Sequence, residues 1–158
     1  MKEFDIEERK NRAVDFFMNG YNCAQSVVLA YIDLFDMDAT TAAKISSSFG
    51  GGLGRMREVC GAVSGMAMIL GLAGKADNPA DHAARTENYA AVQDCANTFK
   101  EKFGSIICAD LLSKKRNVEM PEPSERNAEY YAKRPCAKAV AYAAQTVGEH
   151  LKANYFGE

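Results

Sequence analysis

Five cysteines stand in this chain, at 23, 60, 95, 108 and 136, and four of them share a placement that could do chemistry. Cys23 follows Asn22, a residue that caps helices. Cys60 opens Cys60-Gly61-Ala62-Val63-Ser64-Gly65. Cys108 lies three residues after Ser105, and Cys136 follows Pro135. Each therefore falls in or beside the first turn of a predicted helix, where unpaired backbone N–H groups and the positive end of the helix dipole favour a thiolate over a thiol. Gly61 and Gly65 are one turn apart and leave a bare face on which another backbone, a disulfide or a cofactor can press. Arg55 and Arg57, just upstream, would add positive charge beside Cys60. Apolar residues three or four places beyond Cys23, Cys108 and Cys136 turn those thiols inward. Four inward thiols at helix starts can converge at one end of a bundle, as a dithiol site or as a soft-metal site. Cys95 is different: it shares a stripe with Val92 and Phe99 in the middle of a long helix and reads as core.

The spacing narrows the options. There is no C-x-x-C pair, so the zinc-finger, ferredoxin and thioredoxin signatures are missing, and a metal site would have to be assembled from four separate helices. His82 and His150 read as solvated, and Asp110 and Glu58 as surface charges. The run Gly50-Gly51-Gly52-Leu53-Gly54 lacks the lysine of a P-loop and follows no strand.

The elements that must position these thiols are helices. Ile6, Ala13, Val14 and Phe17 mark a first amphipathic helix over residues 5–18, with Gly20 as its stop. Asn22 caps a second, running to near Asp36. Asp38 caps a third from Ala39 to about Ser47, and the glycine loop follows it. Residues 61–72 are apolar on nearly every side, which predicts a central helix surrounded by the others. Asn78-Pro79 is read as the cap and first turn of a long helix to about Phe103, closed by Gly104. Ser105 is read as the cap of a short helix through Leu112, residues 113–123 as an exposed loop, and Pro135 as the start of the last helix. No segment alternates with period two. The expectation is an all-α bundle of six to seven helices, a single domain over residues 1–158, with a core large enough to need no staples.

With 19 basic and 21 acidic residues the net charge is −2, and no basic block marks a nucleic-acid surface. No apolar run reaches the length of a membrane span, and no secretory signal opens the chain. A cytoplasmic setting is expected, where cysteines are read as redox, metal-binding or buried before they are read as stable disulfides.

Taken together, Tyr21-Asn22-Cys23-Ala24-Gln25, the glycine run, Cys60-Gly61-Ala62-Val63-Ser64-Gly65, Phe103-Gly104 with Cys108, and Cys136 resemble the C_GCAxxG_C_C family of redox-active proteins, over about Val14 to Ala144. The resemblance implies a small helical protein of thiol redox function, often encoded near transporter genes and related to the split-Soret cytochromes. The haem-attachment sequence of those cytochromes, C-x-x-C-H, is absent here. Its site residues would be Cys23, Cys60, Cys108 and Cys136, with Cys95 outside the pattern. The leading expectation is a thiol redox protein without a cofactor. Cys60 would be its reactive thiolate, supported by Arg55 and Arg57, reached past Gly61 and Gly65, and resolved by Cys23, Cys108 or Cys136. All three pairings of the four cysteines stay open, as do the redox partner or small-molecule substrate and the oligomeric state. Two alternatives stand beside it: the same four cysteines holding zinc or an iron–sulfur cluster, and a helical partner of a transporter with incidental thiols.

Overall fold

A computed structural model describes residues 2–113 and 119–156. Among these the chain forms eight α-helices and no strand: α1 (Ile6–Met18), α2 (Cys23–Tyr31), α3 (Ala39–Ser47), α4 (Gly61–Ala73), α5 (His82–Phe103), α6 (Cys108–Leu111), α7 (Ala128–Lys133) and α8 (Cys136–Tyr155). The all-α bundle expected from periodicity is what the chain builds. The apolar α4 packs against α2, α5 and α8, while α2 touches α1, α3, α4 and α8, so the two share the centre.

Capping chemistry fixes the helix starts. Asp5 Oδ1 accepts from the Glu8 N–H (2.8 Å) at α1 and Asp38 Oδ1 from the Thr41 N–H (2.9 Å) at α3. At α2, Asn22 and Gln25 form a reciprocal capping box. Both side chains also reach the end of α3, where Asn22 Nδ2 donates to the Ser47 carbonyl (2.9 Å) and Gln25 Nε2 to that of Ala43 (3.0 Å). The turn that carries Cys23 is thereby held from two sides.

Three expected boundaries are corrected. The second helix stops at Tyr31 and tightens into a 3₁₀ turn over Ile32–Leu34 rather than reaching Asp36. The buried Arg9 of α1 donates to the Ala30 carbonyl (2.8 Å), taking the acceptor the next turn would use, and is forked onto Asp33. The long helix starts at His82, not at Asn78-Pro79. Asn78 instead closes a turn on the Ala80 N–H (3.0 Å), and Asp81 caps, accepting from the Ala84 N–H (3.0 Å). The sixth helix is only Cys108–Leu111, and Ser105 braces it from outside, accepting from the Ile107 N–H and donating to Asp110. Of the expected loop over 113–123, residues 114–118 lie outside the described residues.

α7 has no counterpart in the periodicity. Six residues are too few to show an amphipathic stripe, although Asn127 caps it by accepting from the Tyr130 N–H (2.9 Å) and Glu129 pairs with Lys133 one turn on. It sits over the end of α1, where Arg126 donates to the Phe17 and Tyr21 carbonyls and the Tyr131 hydroxyl donates to that of Met18. A cation on the last carbonyls of α1 matches the negative end of that helix dipole.

Candidate functional site

Three devices bring four distant cysteines to one place. The first is the bare face of α4. A Cβ on Gly61 would stand 2.9 Å from the Phe49 carbonyl oxygen and 3.1 Å from Cys23 Cβ; on Gly65 it would stand 2.7 Å from the Ala24 carbonyl oxygen. Only glycine permits that approach, and the backbone that presses there is the first turn of α2, which sets Cys60 against Cys23.

The second device is a short stretch of backbone pairing. Val59 and Ile107 form an isolated antiparallel bridge, with the Cys60 N–H donating to the Ile106 carbonyl (2.7 Å) and the Cys108 N–H to that of Glu58 (2.6 Å). Cys60 and Cys108 are therefore held beside each other by main chain. The third device is the glycine loop. Gly51, Gly52, Leu53, Gly54, Arg55 and Arg57 all have positive φ, and the loop closes on itself through Gly54 N–H to Ser48 O (2.8 Å) and Arg57 N–H to Gly51 O (3.0 Å). Gly52 lies so close to Cys108 that an added Cβ would be 2.6 Å from that residue's Cβ.

Cys23, Cys60, Cys108 and Cys136 consequently line one small cavity of about 40 Å³, room for a few water molecules, walled by Arg57, Tyr130 and Arg134 among others. Cys136 enters as the first residue of α8, with Pro135 at the cap. The convergence expected of the four thiols is present, and Cys95 lies apart from it, buried on α5. His82, at the start of α5, is exposed, and His150 is half-buried on α8; neither lines the cavity. Among the described residues no group of three or more Cys, His, Asp or Glu is disposed to hold a metal ion.

The electrostatics within the cavity divide the thiols, and they run against the expectation that Cys60 is the acidic one. Cys60 is 6% exposed, and burial pushes its thiol up to about 12; the Ala62 and Val63 backbone N–H groups at the helix start pull the other way and lose. Arg55 and Arg57 do not serve Cys60 either. Arg57 is forked between Glu119 and the Cys108 sulfur (3.6 Å), and Arg55 reaches Glu119, the Met120 carbonyl and Ser124. Cys108 is still raised, by burial, with Arg57 opposing. Cys95 is pushed up to about 11 by burial.

Cys136 alone moves down, from 9.0 to about 7. The chief cause is a hydrogen bond from the Cys23 thiol, followed by the positive charges of Arg134, Arg126 and Arg57, against an opposing cost of burial. Cys23 correspondingly holds its proton, well above the ordinary range, because it donates to Cys136 and is itself desolvated. Tyr130, whose hydroxyl is raised by burial, faces the same pair. Sequence reasoning passed over Arg134, Arg126 and Tyr130. Arg134-Pro135-Cys136 was a legible signal, since it puts a cation two residues before a helix-start thiol.

The fold and this cavity define an all-helical protein assembled around a cluster of cysteines. A family model described as "Putative redox-active protein (C_GCAxxG_C_C)" matches residues 21–150, and the chain belongs to that family. Neither the curated proteins nor the solved structures compared with the chain gave a match. No helix among the described residues is long and apolar enough to cross a membrane.

Proposed function

We propose that this redox-active protein works by thiol–disulfide exchange, with Cys136 as the attacking thiolate and Cys23 as the resolving thiol. The observation that carries this reading is that Cys23 and Cys136, each the first residue of its helix, line one small cavity together with Arg57 and Arg134, and that Cys136 is the thiol drawn down there. A thiol with a pKa near ambient pH is the most effective attacker in exchange, because it is substantially ionised yet still nucleophilic.

In the proposed step the Cys136 thiolate attacks one sulfur of a substrate disulfide. The substrate S–S bond breaks, a mixed disulfide forms, and the first substrate thiolate leaves. Cys23 then attacks the Cys136 sulfur, releasing the second substrate thiol and closing a Cys23–Cys136 disulfide. Two electrons pass from the protein to the substrate, and the Cys23 proton leaves with one of the two released thiols. Cys60 and Cys108, buried and protonated, would form the floor of the cavity and keep water from the sulfur pair. A reducing cytoplasm would hold the resting protein as the dithiol that this step requires.

The test is to oxidise the folded protein mildly, block the remaining thiols and map the bridged peptides. A dominant Cys23–Cys136 bridge is expected; a dominant Cys60–Cys108 bridge, or bridges through Cys95, would sink the assignment.

A further inference from the structure

Beside the thiol cavity lies a second, larger cleft of about 550 Å³, within the size range of small-molecule sites. Four of its lining residues are the arginines 55, 57, 126 and 134, and none of the described residues that line it is acidic. In a chain of net charge −2 this is a concentrated positive site. Gly51, Arg57, Tyr130 and Arg134 line both the cleft and the thiol cavity, so the two share a wall.

The arginines are held in place by contacts that leave charge unspent. Arg126 stacks between the Phe17 and Tyr130 rings, 4.8 Å from each centroid, and Arg134 lies 4.4 Å over Tyr130. Stacking fixes a guanidinium plane, and with five N–H donors a guanidinium that gives one or two to neutral oxygens keeps others for an oxyanion. Neither has a carboxylate within ion-pair distance among the described residues, and their hydrogen bonds go to neutral oxygens: the Phe17 and Tyr21 carbonyls and the Ser124 hydroxyl. Arg55 and Arg57 share the single carboxylate of Glu119. The buried Arg57 also has an Nε with no hydrogen-bond partner. Glu122 and Glu125, on the same segment, do not line the cleft.

We infer that this cleft seats the anionic part of the molecule on which the thiol pair acts, making the substrate a small disulfide that carries oxyanion groups such as carboxylates. The inference rests on the thiol-exchange reading above, and the guanidinium edges of Arg126 and Arg134 are its anion clamps.

Two measurements separate the inference from that reading. The first compares initial rates of thiol oxidation by three small disulfides of similar length: dianionic 3,3′-dithiodipropionate, neutral 2-hydroxyethyl disulfide and dicationic cystamine. Each rate is normalised to its rate with a free small thiol. The dianion should lead the neutral compound by about 10-fold or more at low salt, the dication should trail, and the lead should shrink as salt is added. The second measures binding of 3,3′-dithiodipropionate by calorimetry to Cys136→Ser, which cannot attack it, with and without Arg126→Gln. Binding that weakens about 10-fold in Arg126→Gln, with an unchanged helical spectrum, supports the clamp. If Arg126→Gln unfolds, the charge ladder of the unaltered chain decides alone. Equal normalised rates together with no binding to Cys136→Ser overturn the cleft while leaving thiol exchange standing. Binding without reaction of any disulfide keeps the cleft and removes thiol exchange.

Discussion

A thiol that accepts a hydrogen bond from a second thiol and faces arginines behaves unlike one sealed beneath a helix start. Both stand at helix starts, yet at Cys60 desolvation outweighs the backbone N–H groups, whereas at Cys136 the Cys23 thiol and the charges of Arg134, Arg126 and Arg57 outweigh it. Alkylation of the reduced, folded protein at pH 7 should therefore modify Cys136 first, with Cys60, Cys95 and Cys108 protected until denaturation; peptide mapping after brief iodoacetamide treatment reads the order, and early modification of Cys60 would contradict it. Linkage sets the matching dependence of stability on pH. The folded pKa of Cys136, about 7, lies below its ordinary value of 9.0, so between those values this residue binds more protons in the unfolded chain and adds stability as pH rises. The sign reverses before pH 9.0 is reached, since Cys23, Cys60, Cys95 and Cys108, each with an ordinary value of 9.0, ionise more readily unfolded than folded and together outweigh Cys136. A denaturation midpoint that climbs above about pH 7 and turns down before about pH 9 is the expected profile, and Cys136→Ser should flatten the climb while keeping the fall.

At the scale of the element, the contact between α4 and α2 decides whether Cys23 and Cys60 meet. The two faces of α4 make opposite predictions for the same substitution. Gly65→Ala forces a Cβ to within 2.7 Å of the Ala24 carbonyl oxygen and should cost about 1–3 kcal/mol, as overpacking does in a close contact. Gly71→Ala, on the exposed side with nothing within 4 Å, should stabilise by up to about 1 kcal/mol through helix propensity alone. Urea titration of the pair checks both signs. Asn22→Ala removes the capping box and the tie to Ser47 and should cost about 1–2 kcal/mol. It should also raise the Cys136 pKa by loosening the thiol that donates to it, which thiolate absorbance near 240 nm would follow across a pH titration.

For the whole molecule, the pair proposed to exchange electrons joins α2 to α8, elements from opposite ends of the chain. Closing a Cys23–Cys136 bridge would restrict most of the unfolded chain, an effect worth about 4–5 kcal/mol by loop-closure entropy for a loop of this size; the oxidised form should unfold at a clearly higher denaturant concentration than the reduced form. Much of this architecture was legible in the sequence because it depends on local rules. Asn22 and Asp38 announce helix starts, α4 announces its burial, and Gly61 with Gly65 announce a close neighbour. What stayed hidden depends on contacts between distant segments. The identity of that neighbour, the Val59–Ile107 pairing that sets Cys60 beside Cys108, and the arrival of Arg126 and Arg134 at the sulfur pair come from packing. Cys60 was singled out because its glycines mark a tight approach, but the closeness they permit is also what shuts the thiol away from water.

The loop over Gly51 to Arg57 has a consequence for handedness. Leu53, Arg55 and Arg57 are L-residues held at φ of 69°, 65° and 60°, backbone that suits their mirror images better, at about 1–2 kcal/mol apiece. A semisynthetic chain carrying D-leucine at position 53, where the side chain is largely exposed, should therefore be more stable than the natural one, and D-alanine should replace Gly54 where L-alanine is strained. Such inversion is ordinarily ruinous inside a folded chain. Here it would mark the loop as a segment whose geometry is maintained against its own chirality, by the backbone bonds that hold the cysteines in register.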